Sequence, residues 1–226
     1  MTRIKICGII TLADGMTAAQ AGADLLGFIF YPKSPRYIAP EQAAEITQGI
    51  RVEMGDAAPR FVGVFVNEDV DHLLAVYQTA GLDYAQLHGG EPPALLQKLQ
   101  PWAFKALRPG TPQEAQADAE WYGDFGPPDG PQLLIDAYDP DVYGGTGKKA
   151  DWFAAADLAR TYPRLLLAGG LTPENVAQAI GTVRPWGVDV SSGVERAPGH
   201  KDPDAIHAFI RHARAADRSA GPTSSP

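Results

Sequence analysis

A single cysteine, Cys7, stands among 226 residues, so no internal disulfide can form. No second cysteine and no histidine pair at metal-ligand spacing offers a metal site; His207 and His212, five apart, share a helical face poorly. Long apolar runs are missing as well. None approaches the ~18 residues that cross a bilayer, and no basic segment followed by an apolar one opens the chain as a secretory signal would. A cytoplasmic protein without membrane contact is therefore expected. Positive charge is scarce: 19 Lys and Arg face 27 Asp and Glu, a formal net charge of -8 that argues against nucleic acid and anionic membrane surfaces. A small soluble substrate is the partner left, with a monomer or a homodimer both open. No Gly-x-Gly-x-x-Gly follows the first apolar segment, which removes the usual dinucleotide fingerprint.

What the chain does have is 45% hydrophobic residues, enough to bury a large core in one domain. It opens on Arg3–Gly8 (RIKICG), too short and too alternating for a helix. As a strand it puts Ile4 and Ile6 on one face and Lys5 and Cys7 on the other. Helical spacing over 11–22 ends at Gly22, a C-cap, and Leu25–Phe30 is a continuous apolar run that suits a strand buried on both faces. The unit then recurs. Strands are expected at Arg60–Val66, Tyr84–Leu87, Trp102–Leu107, Gln132–Asp136, Arg164–Ala168 and Trp186–Ser191. Helices are expected at 40–51, from Asn67 or Asp69 to Ala80, after Glu91-Pro92, at 112–122, 151–160, from Thr172-Pro173-Glu174 with proline in the first turn, and at Pro203–Ala216. Uninterrupted strand–helix alternation implies parallel strands, and eight such units predict a single-domain (β/α)8 TIM barrel over 1–216, with an open doubly wound sheet as the rival. The turn-rich 126–131 is expected as a surface loop on the non-catalytic side. Residues 217–226, with little to bury, are expected as a disordered tail.

Barrel active sites form where strands end and βα loops begin, so polar residues at those tips are the candidates. They are Cys7, Arg36, His88, Asp136, and Asp189 with Ser191, Ser192 and Gly193; Gln86 lies two residues before His88 on the same face. Gly169-Gly170 and Ser191–Gly193 follow strands seven and eight, where barrels bind phosphate through backbone N–H groups and hydroxyls. Ordinary tight turns are the competing reading. Gly145 and Gly147, in a Gly-rich loop ahead of Lys148-Lys149, suit a segment that closes over a ligand or a plain connection. A lone cysteine is more often a buried small hydrophobe than a catalyst, but a cation on its own face favours the thiolate. Asp136 ends an apolar strand; its structural alternative is an ion pair with Lys5 or Lys105. Arg36, in a loop stiffened by two prolines, suits a bidentate carboxylate clamp or a solvated charge.

Together these stretches resemble the phosphoribosylanthranilate isomerase family: Lys5–Gly8, Gly27–Tyr37, Val62–Asn67, Gln86–Gly89, Leu134–Asp136, Gly144–Lys148, Ala168–Val176 and Asp189–Glu195. The resemblance implies a βα barrel of tryptophan biosynthesis that turns N-(5-phosphoribosyl)anthranilate into the 1-deoxyribulose 5-phosphate ketoamine by an Amadori rearrangement. It implies Cys7 as general base, Asp136 as general acid and Arg36 on the anthranilate carboxylate. Lys5, Gln86, His88 and Asp189 would contact substrate, and Gly145, Gly147, Gly169, Gly170, Ser191, Ser192 and Gly193 would hold phosphate. No metal and no cofactor is implied, because the substrate iminium is itself the electron sink. A Schiff-base lyase using Lys105, or a phosphosugar-binding scaffold, is the alternative. At a reference pKa near 8.5, a cysteine is roughly 3% thiolate at pH 7, a penalty of about 2 kcal/mol that a neighbouring lysine can offset. Lys5 is accordingly expected nearer Cys7 or Asp189 than Asp136 in the closed complex.

Overall fold

The computed structural model describes residues 1–136 and 152–219. Eight strands close in sequence order into a parallel barrel: β1 (Arg3–Cys7), β2 (Leu25–Ile29), β3 (Arg60–Phe65), β4 (Tyr84–Leu87), β5 (Ala103–Leu107), β6 (Leu133–Ile135), β7 (Leu165–Leu167) and β8 (Gly187–Val190). β8 returns to β1 with Lys5 opposite Asp189, which leaves the barrel sheet without an edge. Outside lie α1 (Leu12–Ala21), α2 (Pro40–Met54), α3 (Val70–Thr79), α4 (Pro93–Lys98), α5 (Pro112–Tyr122), α6 (Trp152–Thr161), α7 (Val176–Val183) and α8 (Pro203–Ser219).

Strand alternation sorts the side chains into two cores. Ile4, Ile6, Phe28, Phe61, Phe65 and Leu133 face outward and pack beneath the helices. Leu25, Val62, Tyr84, Phe104, Ala106, Leu134, Leu166 and Ala168 fill the lumen. Burying one such large side chain is worth about 1.5–3 kcal/mol, so the lumen is a packed core and not a channel. Two residues further along the same inward faces, the character changes to polar. Gln86 and His88 follow Tyr84, Asp136 follows Leu134, and Cys7 follows Lys5.

Several helix boundaries have a visible cause. The Thr11 hydroxyl accepts from Asp14 N (3.1 Å) at the start of α1, and Gly22 ends it in the left-handed conformation at φ 100°. Asp69, not Asn67, caps α3 by accepting from the amides of Asp71 and His72. The proline-led start expected for α7 is displaced. The Asn175 side chain accepts from Thr172 N (2.8 Å), closing a turn over Thr172–Asn175, and the helix begins only at Val176. Glu91 does not start α4 either; its carboxylate turns back to the amides of Asn67 and Gly89.

Two features lie beyond the sequence reading. The β8–α8 connection carries an antiparallel pair, β9 (Glu195–Ala197) and β10 (His200–Lys201). The last helix also extends past its expected end at Ala216. α8 runs to Ser219, and the Asp217 carboxylate accepts from Thr2 N (2.9 Å) and Thr2 Oγ1 (2.6 Å), tying the two ends together. Residues 220–226 lie outside the described residues. The 126–131 segment does connect a helix to a strand at the end opposite the βα loops, but Pro127 and Gly130 are buried, and Arg164 donates to the carbonyls of Gly130 (2.9 Å) and Pro127 (3.2 Å). It forms a floor under the barrel at Tyr84. Burial and then Asp129 push the Tyr84 phenol up to about 12.

Candidate active site

Cys7 ends β1 in the lumen, 5% exposed. Its sulfur lies over Gly27 of β2, where an added Cβ would come within 2.6 Å of Sγ, so only glycine leaves room. Lys5 sits below it, fully buried, donating to Gln86 Oε1 (3.0 Å) and Asp189 Oδ2 (3.1 Å). Burial works against the Lys5 ammonium, but the charges of Asp189 and then Cys7 outweigh it and raise its pKa. The thiol is raised too: burial pushes Cys7 up, and Lys5 offsets only part of this while Asp189 adds to it. The expected help from Lys5 is present, yet desolvation wins. Lys5 pairs with Asp189 and not with Asp136.

Gln86 and His88 stand in series on the inward face of β4. Gln86 Nε2 lies 2.8 Å from His88 Nδ1, and His88 Nε2 lies 3.4 Å from Asp136 Oδ2. Lys5, Gln86, His88 and Asp136 thus form a line from the foot of the cysteine to the carboxyl across the barrel. Lys105 is not part of it. It lies between inward-facing Phe104 and Ala106, on the outer face of β5, where its ammonium bonds Glu91 Oε2 (2.9 Å), Gly89 O (2.6 Å) and Leu87 O (3.2 Å). It therefore neither pairs with Asp136 nor reaches a ligand in the lumen.

Arg36 is not a solvated loop charge: it is 7% exposed and held by Glu195. Nε donates to Oε1 (2.9 Å) and Nη2 to Oε2 (2.8 Å). Lys201 of β10, also buried, donates to Glu195 Oε1 (2.7 Å) and to Ser191 O (3.1 Å). Burial opposes the Glu195 carboxylate, but its bonds to Arg36 and Lys201 prevail and hold it below the usual range. Two cations around one carboxylate leave this corner net positive, with the Nη1 edge of Arg36 outside the Glu195 clamp. Sequence reasoning missed Lys201 and Glu195 as site residues. Glu195 ended a recognised stretch, whereas β10 is too short to signal itself.

The loops after β7 and β8 meet beside this site. Gly169 and Gly170 have φ of 90° and 61°, the left-handed region that favours glycine. A Cβ on Gly193 would lie 1.9 Å from the Leu171 carbonyl oxygen, so the two loops touch backbone to backbone. The cavity they line with Ser191 and Ser192 shares Asp136, Asp189 and Ser191 with a second cavity lined by Cys7, Arg36, Gln86 and His88. The described candidate residues line these cavities except Lys5, which lies fully buried beneath Cys7; Gly145 and Gly147 lie outside the described residues. Asp189 Oδ1 and Ser191 Oγ are buried without a hydrogen-bond partner within the described residues. Burial pushes the Asp189 carboxyl up against the opposing pull of Lys5.

A closed eight-stranded parallel barrel with a thiol, two carboxylates and a glycine-lined cavity at the C-terminal ends of its strands is the architecture of a (β/α)8-barrel enzyme. The family model of N-(5'-phosphoribosyl)anthranilate (PRA) isomerase matches residues 4–212. An N-(5'-phosphoribosyl)anthranilate isomerase from Roseiflexus sp. is 47% identical over 219 residues, covering 96% of this chain and 99% of its own. The crystal structure of the phosphoribosyl anthranilate isomerase from Thermotoga maritima superposes with a TM-score of 0.84 at 40% identity, covering 95% of this chain and 100% of that one. A second structure, phosphoribosyl anthranilate isomerase in complex with reduced 1-(o-carboxyphenylamino)-1-deoxyribulose 5-phosphate, gives 0.80 at 40% identity over the same shares. The chain belongs to the phosphoribosylanthranilate isomerase family, enzymes of tryptophan biosynthesis.

Proposed function

We propose that this chain converts N-(5-phosphoribosyl)anthranilate to 1-(o-carboxyphenylamino)-1-deoxyribulose 5-phosphate, with Asp136 as acid and Cys7 as base. The observation that carries this is the placement of the two groups. Both line one cavity, and Asp136 also borders the glycine-lined cavity, so a sugar whose phosphate sits in the latter lies between them. The relative crystallised with the reduced product-like ligand supports the ligand class.

The protonated Asp136 carboxyl donates to the ring oxygen as the C1'–O bond breaks, leaving an iminium at C1' and a C4' hydroxyl. The Cys7 thiolate removes the C2' proton, and the electron pair moves into the C1'–C2' bond to neutralise the iminium. The enolamine then tautomerises to the ketoamine. Burial raises the Cys7 thiol against the pull of Lys5, so the developing iminium cation is well placed to favour the thiolate when it is needed. Backbone amides at Gly169–Gly170 and Ser191–Gly193 cradle the phosphate. The Nη1 side of Arg36, backed by Glu195, receives the anthranilate carboxylate. The lysine-based lyase is not favoured by its candidate: Lys105 faces away from the lumen, and Lys5 beneath Cys7 is an ammonium held by Asp189. A cytoplasmic enzyme without a cofactor fits this chemistry.

Fluorescence of the anthranilate adduct tests the assignment. Wild type should quench it with multiple turnovers, and borohydride should trap no lysine adduct. A trapped lysine, or no turnover by folded protein, would overturn it.

A further inference from the structure

The direction of each hydrogen bond along the Lys5–Gln86–His88–Asp136 line follows from which groups can only donate. The Lys5 ammonium has three donors and no lone pair, so the side-chain atom of Gln86 that it meets at 3.0 Å must be the carbonyl oxygen. That fixes the amide. Its NH2 group then faces His88 Nδ1 at 2.8 Å, and an NH2 group donates. Nδ1 must therefore present its lone pair, since a proton there would set two donors face to face. In a neutral imidazole the proton then belongs to Nε2. This nitrogen is buried, makes no hydrogen bond within the described residues and lies 3.4 Å from Asp136 Oδ2.

We propose that Lys5 and Gln86 lock His88 as its Nε2–H tautomer, and that His88 is a positioning residue for Asp136, acting at Oδ2. The inference rests on the reading of Asp136 as the acid. A buried N–H close to Oδ2 can donate to the carboxylate that forms as Asp136 gives up a proton, and so steady it as charge develops. The separation of 3.4 Å is long for a hydrogen bond, as is common in a site without its substrate, where catalytic contacts tighten only on binding. Lys5 and Gln86 are both almost wholly buried on barrel strands, so the polarity of the line is set by the scaffold before any ligand arrives.

The tautomer can be read without activity. The chain has five histidines, and His72, His200, His207 and His212 are exposed, so His88 is the one buried imidazole. In a proton–nitrogen correlation spectrum of 15N-histidine protein, assigned by its loss in His88→Gln, wild-type His88 should show a protonated Nε2 and a bare Nδ1. Gln86→Glu is nearly isosteric but presents a carboxylate to Nδ1, and should move the proton to that nitrogen. Its kcat should fall about tenfold or more while KM changes much less, as expected when an interaction is lost mainly in the transition state. His88→Gln, which can still offer an N–H near Oδ2, should retain more kcat than His88→Leu. A protonated Nδ1 in wild type would overturn the inference, and so would a switched tautomer in Gln86→Glu with kcat unchanged. If wild type shows the expected tautomer but does not turn over the substrate, the acid assignment fails with its positioning role, while the lock itself stands on the spectrum.

Discussion

Burial sets the chemistry of the single thiol. Cys7 is displaced upward by desolvation against the pull of Lys5, and the reactive form is the thiolate, so the sign is direct: a raised pKa moves the rising limb of activity to higher pH. kcat/KM should climb with pH across the neutral range and up to at least the ordinary thiol region of about 8.5. A profile flat from about pH 6 to 9 would contradict the base assignment. The pairing of Lys5 and Cys7 on one face was readable from alternation along β1. That Asp189 would take the lysine required the closure of β8 onto β1, a contact between residues 184 positions apart. Periodicity carries no such information.

Short elements carry much of the site, and they are the ones least visible in a sequence. β10 has two residues, yet it delivers Lys201 to the Glu195 that holds Arg36. Glu195→Gln should loosen Arg36 and raise KM more than it lowers kcat, because the proposed Arg36 contact to the substrate carboxylate would be made in ground and transition state alike. The wild-type pair also has an acid limit. A carboxylate with a depressed folded pKa contributes stability above its unfolded value, about 4.3, and loses it as pH falls through the folded one. Acid unfolding of Glu195→Gln should accordingly show a shallower loss of stability below about pH 4 than wild type. β2 contributes through an absence. Gly27→Ala places a methyl carbon 2.6 Å from the sulfur and should cut kcat severely while circular dichroism stays barrel-like. Near-normal turnover in that variant would show that the sulfur need not lie where it does. Turn chemistry explains why the start of α7 escaped sequence reading: Pro173 suits a first helical turn, but the Asn175 side chain competes for the Thr172 amide.

At the scale of the whole molecule the barrel depends on its ends meeting. Thr2 bonds Asp217, and Arg214 of α8 donates to Asp24 Oδ2 (2.8 Å) beside β2. A chain ending at residue 216 keeps every strand but leaves the Thr2 amide and hydroxyl without Asp217. It should lose about 1–3 kcal/mol in urea denaturation with little change in kcat, and an unchanged midpoint would show the latch to be idle. The eight-unit architecture itself was legible because strand–helix alternation repeats along the chain. The end of the last helix was not, because α8 ends in polar residues whose partner lies at the opposite terminus. The same long-range closure brings the tips of β1, β4, β6 and β8 to one mouth, and the proposed acid and base depend on this convergence.

Turnover of N-(5-phosphoribosyl)anthranilate by wild type, Cys7→Ala and Asp136→Asn tests that convergence most directly. Wild type should be active, and each variant should lose about 100-fold or more in kcat while retaining the fold. Near-wild-type rates in both variants would contradict the assignment of Cys7 as base and Asp136 as acid.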